Sequence, residues 1–149
     1  MEMIKKSIND CSMLELPKIA NQKGNLSVVQ NSIDIPFDIK RIYYLYDIPG
    51  GSTRGGHAHK ELQQFIVSVS GSFDVVLDDG SDRKTIRLNR PYHGLFIPQM
   101  IWREIVNFST GGICLVLASL PYNEDEYIRD YDLFLQHKHE MNETVRCVV

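Results

Sequence analysis

Short runs of alternating apolar and polar residues, separated by turn residues, make up most of the chain from Leu26 onward. A repeat of two residues is typical of strands with one buried face, and intervening turn residues indicate antiparallel connections. The runs predict strands at residues 37–48, 63–70, 72–77, 83–88 and 113–118, the last apolar on both faces. The sequence DDGS at residues 78–81 predicts a hairpin turn. The pattern therefore predicts an all-β barrel or sandwich.

The segment after Pro121 has a different pattern. Residues 124 to about 140 carry acidic side chains early and three basic residues, His137, Lys138 and His139, late. This order complements the dipole of a helix, which is positive at its amino end and negative at its carboxyl end. It predicts one carboxy-terminal helix, with residues 137–149 as a variable tail.

Length, charge and cysteine content restrict the class of protein. A chain of 149 residues fits one domain, spanning residues 1–149. With 19 acidic and 16 basic residues, its net charge of −3 argues against binding to nucleic acid or to an anionic membrane. Its longest apolar runs are far shorter than the roughly 20 residues that span a bilayer. Three cysteines without paired spacing fit a reducing compartment, so we expect a cytoplasmic protein.

A candidate site lies in the middle of the chain. Gly51, His57, His59, Gln64 and Gly71 follow the spacing of the first motif of the cupin barrels, in which two histidines and a glutamate hold a metal. The glutamate position is Gln64 here. The spacing predicts a cupin-type double-stranded β-helix, or jelly roll, ending in the short helix.

A second stretch, residues 94–107, has the proline and the asparagine of the second cupin motif as Pro98 and Asn107. At the last histidine ligand of that motif this chain has Arg103, a permanent cation with no lone pair to donate. We therefore expect no metal and no other cofactor. Two histidines facing a fixed positive charge suit proton transfer beside a forming oxyanion.

Neighbouring residues extend the site. His57 and His59 are two residues apart, so on a strand they point to the same face. Arg41 and Tyr43 share a face of the preceding strand, and Arg54 stands just ahead of the histidines. Taken singly, each could instead be a surface or core residue. Arg103 has large apolar neighbours and therefore needs a partner, either a ligand oxyanion or a carboxylate such as Glu104.

Five segments together resemble the nucleotide-sugar 3,4-ketoisomerases, which act on dTDP-4-keto-6-deoxy-glucose. The segments are RIYY at residues 41–44, RGGHAHK at 54–60, VLDDG at 76–80, Trp102, and YNEDEYIRDY at 122–131. The resemblance covers residues 24–134. It implies a cupin enzyme without a cofactor, a homodimer that exchanges β-structure between subunits, and a role in making 3-amino-3,6-dideoxyhexoses for surface polysaccharide. It also implies that the paired histidines are catalytic.

Two positions bear on the configuration of the product. Family members that form the galacto-configured 3-keto sugar tend to have histidine after the tryptophan and arginine just before an early glycine. This chain has Arg103 and Lys23 there. Arg103 is similar to the gluco-forming branch, so the resemblance implies a gluco-configured product, with Lys23 and Arg103 contacting the substrate.

Moving a ketone from C4 to C3 through an enediol requires only proton transfers. We assign His57 as the base and His59 as its partner, with Arg103 holding the enediolate. Arg41, Tyr43 and Arg54 would orient the sugar and its diphosphate. Three alternatives stay open: a dTDP-sugar 3,5-epimerase, a non-catalytic sugar-nucleotide-binding module, and a metal-dependent cupin that uses Gln64 as a ligand.

Overall fold

The computed structural model describes residues 5–148, and the side chains of residues 5–141. The strands of this part are β1 Ser12–Glu15, β2 Lys18–Asn21, β3 Gly24–Ser27, β4 Arg41–Leu45, β5 Arg54–His59, β6 Gln64–Ser70, β7 Phe73–Asp78, β8 Arg83–Leu88, β9 His93–Ile97, β10 Trp102–Val106, β11 Ile113–Ala118 and β12 Tyr127–Ile128. One α-helix, α1, spans Tyr131–Val148, and short 3-10 turns lie at Ile8–Asp10 and Glu124–Glu126.

Two five-stranded antiparallel sheets form the body of the protein. Their strand orders are β1-β9-β6-β11-β4 and β12-β5-β10-β7-β8, and β2 and β3 form a separate hairpin. The first five-stranded sheet is called the β4 sheet below, and the second the β5 sheet. From β4 to β12 the chain crosses between the two sheets at every step except the β7–β8 hairpin, as in a jelly roll. The predicted all-β, cupin-type fold with a carboxy-terminal helix is therefore confirmed.

Alternating side chains on the two sheets build the core. Phe73, Val75 and Leu77 of β7 point inward and pack with Ile66 and Val116 of the facing sheet, and all are fully buried. Burial of such side chains contributes about 1.5–3 kcal/mol each relative to exposure. The outer face of the β4 sheet is covered in its middle by residues 28–40, which pack Ile35 and Phe37 against Phe65.

Helix α1 covers the outer face of the β5 sheet. Phe134 packs there against Ala58 and Trp102, and the buried Lys138 donates from Nζ to the backbone oxygen of Lys6 over 2.6 Å. Burial lowers the pKa of Lys138 to about 8. The helix thereby supports β5 and β10, the two strands that carry the histidines and Arg103. Within the described residues, no helix has the length and apolar character needed to cross a membrane.

The sequence-based strand predictions match the structure in the middle of the chain and omit several of its strands. The strands at residues 83–88 and 113–118 have the predicted bounds, β6 starts one residue later than predicted, and β7 is shifted by one residue at both ends. Strand β4 is shorter than the predicted 37–48. Strands β1 to β3, β9 and β10 were not among the predicted strands. Every residue of β2 and β3 is exposed, and their sequences show no apolar alternation.

The predicted start of the helix was wrong. Residues 124–126 form a 3-10 turn, and Tyr127 and Ile128 then pair with His59 and Ala58 of β5 as strand β12. An aromatic and a β-branched residue suit this strand, and the Asp130 carboxylate then accepts from the backbone N–H of Leu133 over 2.9 Å, as an N-cap does. The predicted tail continues α1 to residue 148, and residue 149 lies outside the described residues.

Candidate active site

The candidate site is built from two layers of inward-facing side chains between the two sheets. In the His59 layer, the backbone of His59 pairs with Tyr127, whose hydroxyl accepts from Arg41 Nη2 over 3.0 Å. In the His57 layer, the backbone of His57 pairs with Arg103, whose Nη2 donates to the Tyr43 hydroxyl over 2.9 Å. Each layer is thus closed by an arginine–tyrosine hydrogen bond from β4 to the β5 sheet.

The two histidines contact each other directly. Their Nε2 atoms are 3.1 Å apart, and the side chains are almost inaccessible to solvent, with residues 5 % and 2 % exposed for His57 and His59. The ring of Tyr127 lies 4.9 Å from the His57 ring and 4.5 Å from the His59 ring. One imidazole must donate to the other, so the pair shares a proton between its two Nε2 atoms.

The site keeps both histidines neutral. Burial lowers the pKa of His57 and of His59 well below 6.5, and the guanidinium of Arg103 lowers both pKa values further. A neutral imidazole has a lone pair available at neutral pH, which is the form that a general base requires.

We expect this burial to make the protein sensitive to acid. Below about pH 6.5 the unfolded chain binds protons at both histidines, whereas the native site does not. The free energy of unfolding therefore falls as pH falls, by up to about 1.4 kcal/mol per pH unit for each histidine. His59→Asn should remove one such contribution, which urea unfolding between pH 4.5 and pH 8 measures. Identical slopes for both proteins would contradict the neutral pair.

Arg103 is the largest fully buried side chain of the described residues, at 1 % exposure. It does not pair with Glu104, which accepts from Trp102 Nε1 at 3.3 Å. Its guanidinium instead occupies the space beside Gly55, where an added Cβ would lie 2.2 Å from Arg103 Nη1. The Tyr43 hydroxyl that accepts from Arg103 keeps its own proton for another acceptor. Arg103 and Tyr43 together are suited to stabilising negative charge on a ligand oxygen.

A cavity of about 560 Å³ opens beside the two layers. The charged residues among those described in its lining are four arginines, Arg41, Arg54, Arg103 and Arg129. Such a concentration of guanidinium groups in a protein of net charge −3 favours an anionic ligand such as a diphosphate. Volume and charge both suit a small anionic molecule.

The structure brings most of the predicted site residues together. Five of them line the cavity: Arg41, Tyr43, Arg54, His57 and Arg103. His59 is not in the lining, but its Nε2 contacts that of His57. Lys23 is different: it lies in the exposed turn between β2 and β3 and is not part of the described cavity lining.

The aromatic and charged lining residues that the site prediction missed are Tyr122, Tyr127 and Arg129. Arg129 is held by both carboxylate oxygens of Glu124, at 2.7 and 3.1 Å, and lies 4.4 Å from the Tyr127 ring centre. The motif at residues 122–131 contains all three, so it could have identified them as site residues as well as supporting the family resemblance.

Comparison with known families decides the classification. The family model described as "FdtA: WxcM-like, C-terminal" matches residues 9–139. The chain belongs to this family. Its resemblance to the sugar 3,4-ketoisomerases is confirmed by its relatives, and the family is one of isomerases. A curated protein of Aneurinibacillus thermoaerophilus, named TDP-4-oxo-6-deoxy-alpha-D-glucose-3,4-oxoisomerase, is 40 % identical over 130 residues, covering 87 % of this chain and 94 % of that protein.

Two solved structures of the family have the same fold as this chain. A 3,4-ketoisomerase from Helicobacter canadensis is 50 % identical with a TM-score of 0.85, covering 87 % of this chain and 98 % of its own. The TDP-quinovose 3,4-ketoisomerase WlaRB from Campylobacter jejuni is 46 % identical with a TM-score of 0.83, covering 87 % and 99 %. Similarity of this extent covers most of the chain.

Proposed function

We propose that this sugar 3,4-ketoisomerase family member moves the keto group of dTDP-4-keto-6-deoxy-glucose from C4 to C3 by histidine acid–base catalysis. The observation that carries the proposal is the buried, neutral His57–His59 pair beside the Arg103 guanidinium in an arginine-lined cavity. The names of its relatives give the dTDP-linked substrate.

The proposed reaction needs a base, a site for negative charge and an acid. His57 removes the proton at C3, which the adjacent ketone acidifies, and an enediol spanning C3 and C4 forms. Arg103 and the Tyr43 hydroxyl stabilise the charge that develops on the sugar oxygen. His59, in contact with His57, takes part in returning a proton to C4, while Arg41, Arg54 and Arg129 hold the diphosphate.

One NMR time course with dTDP-4-keto-6-deoxy-glucose in D₂O tests the function. We expect the C4 ketone signals to be replaced by those of a 3-keto sugar, with no deuterium at C5. Deuterium at C5 would identify a 3,5-epimerase, and binding without any change of the spectrum would identify a non-catalytic module. Either result would overturn the proposal.

The same reaction run in H₂O reports the configuration at C4, because the product then carries a proton at C4. We propose the gluco configuration, because Arg103 follows the tryptophan and because the 46 % identical WlaRB is named for TDP-quinovose, a 6-deoxyglucose. A gluco product places H4 and H5 in a trans-diaxial arrangement with a large coupling. A small coupling would assign the galacto configuration instead.

We further propose a homodimer that exchanges the β2–β3 hairpin. The hairpin is exposed on both faces, and Ile19 and Leu26 lie opposite each other at 59 % and 56 % exposure. Strand β4 forms an edge of its sheet and exposes Ile42 and Tyr44. A hairpin from a second subunit would pair with this edge and cover both patches. It would also carry the Lys23 of that subunit toward the arginine-lined cavity, where we propose that it binds substrate.

Ile42→Lys should produce a monomer at micromolar concentration, because a charge would replace an apolar side chain at the proposed interface. Leu133→Lys, on α1 and 44 % exposed, is the matched control and should leave the assembly unchanged. Light scattering after gel filtration gives both masses. A monomeric wild type, or a dimeric Ile42→Lys variant, would contradict the exchange.

A cytoplasmic location and a role in making 3-amino-3,6-dideoxyhexoses belong to the same proposal. Cys11 and Cys114 are both free thiols in the described structure, and Cys114 is fully buried. Free thiols fit a reducing compartment.

A further inference from the structure

The arginine-lined cavity has one apolar position that the proposed reaction does not use. Leu45, at the end of β4, is the only wholly apolar side chain among the described lining residues. The other lining residues carry a charge, an imidazole or a hydroxyl group, or are glycine. Leu45 is half-buried, packs against the core between the sheets, and pairs through its backbone with the buried Cys114. Its apolar surface is therefore held in a fixed place in the cavity.

The polar lining residues separate into a solvent-exposed mouth and a buried inner end. Tyr122 is 62 % exposed, the side chain of Arg129 is 53 % exposed, and Arg54 is exposed as well, so these three residues lie where the cavity opens. His57 and Arg103 are almost completely buried and form the inner end. Two of the exposed residues are arginines, so the mouth suits an anionic group, and the inner end holds the groups proposed to act on the sugar.

Leu45 belongs to the inner end. It lies two residues after Tyr43 on β4, so both side chains are on the same face of the strand with Cα atoms about 6.6 Å apart. The Tyr43 hydroxyl accepts from Arg103 Nη2 over 2.9 Å, which fixes that face of β4 beside the buried guanidinium. A ligand whose reacting atoms lie at Arg103 therefore has apolar surface next to them.

The chemistry of the sugar matches this arrangement. The diphosphate is attached to C1, which lies across the pyranose ring from C4, so a diphosphate at the mouth directs C3 and C4 toward His57 and Arg103. The C6 methyl group is attached to C5, the neighbour of C4, and enters the inner end with it. An apolar methyl group is stabilised by contact with an apolar side chain, and Leu45 is the lining residue that offers one.

We propose that Leu45 is a specificity-determining residue that contacts the C6 methyl group and selects 6-deoxy sugars over sugars with a C6 hydroxyl group. A hydroxyl group at C6 would leave water and face the Leu45 side chain, which has no hydrogen-bonding atom. Apolar pockets discriminate against an added hydroxyl group by about 100-fold. This inference rests on the proposed function for the position of the reacting carbons.

Calorimetric titration with dTDP-6-deoxy-glucose and dTDP-glucose tests the inference, because neither sugar has a ketone and neither can react. We expect the wild type to bind the 6-deoxy sugar about 10- to 100-fold more tightly. Leu45→Asn, which is of similar size but carries an amide that can bond to a hydroxyl group, should bind the two sugars with nearly equal affinity. Leu45→Ala, which removes the contact and leaves room for a hydrated hydroxyl group, should also lower the ratio.

Leu115→Asn is the matched control. Leu115 is a half-buried leucine on the neighbouring strand β11, but it packs in the cluster on the outer face of the sheet and is not part of the described cavity lining. It should lose stability and keep the wild-type ratio of affinities.

Equal binding of the two sugars by the wild type would overturn this inference alone. So would an unchanged ratio in folded Leu45→Asn or Leu45→Ala, with circular dichroism giving the folded fraction. No binding of either sugar would overturn the proposed function together with this inference. The titration needs no turnover, so the two failures are distinguishable.

Discussion

His57→Asn is expected to abolish nearly all turnover while the protein stays folded. Removal of a positioned general base lowers kcat by about 10²- to 10⁴-fold or more. Asparagine can still hydrogen-bond, and the imidazole that it replaces is neutral, so the variant buries no new charge. The ketone signals of dTDP-4-keto-6-deoxy-glucose in NMR give the rate, and circular dichroism gives the folded fraction.

The matched control is His93→Asn. His93 begins β9, packs with its ring centre 4.4 Å from that of Tyr92, and is not part of the described cavity lining. It should keep wild-type activity. Activity near the wild-type level in a folded His57→Asn variant would refute the assignment of the base.

Gly55→Ala should have the second largest effect, although it removes no functional group. Gly55 has a φ of +70°, and an added Cβ would lie 2.2 Å from Arg103 Nη1. Arg103 would have to leave its place beside His57, and loss of one group that stabilises the developing anion costs about 10²–10³-fold in kcat. Steady-state kinetics and a thermal melt together separate this loss from unfolding.

Gly111→Ala controls for backbone strain. Gly111 has a similar φ of +74°, but nothing lies within 4 Å of its added Cβ. Both variants should lose about 1–2 kcal/mol of stability from a left-handed alanine. Gly55→Ala should lose more, because it also displaces the buried Arg103, and only Gly55→Ala should lose activity. If Gly55→Ala keeps full activity, Arg103 is not needed where the structure places it.

The histidine motif could be predicted from the sequence because it lies within one strand. A separation of two residues on β5 puts His57 and His59 on one face of the strand, and this does not depend on the tertiary structure. The cupin spacing then supplied the fold and the facing position of Arg103. What it could not supply was the partner of Arg103. Tyr43 is 60 residues away on the opposite sheet, and only the closed barrel brings it within 2.9 Å.

The sequence was less informative where elements are short or incomplete. Strand β12 has two residues, too few for any periodicity, so residues 124–130 resembled the start of a helix and Tyr127 was left out of the site. The β2–β3 hairpin has no buried face within one chain, so neither it nor the place of Lys23 could be predicted from apolar alternation.

The Arg103–Tyr43 hydrogen bond limits how this scaffold could be redesigned as a metalloenzyme. Restoring a ligand set would require Gln64→Glu and Arg103→His together. The second change deprives the Tyr43 hydroxyl of its donor and takes a guanidinium out of a fully enclosed space. An engineer would therefore have to replace Tyr43 as well and refill that volume, so a metal site in this barrel needs at least three coordinated substitutions.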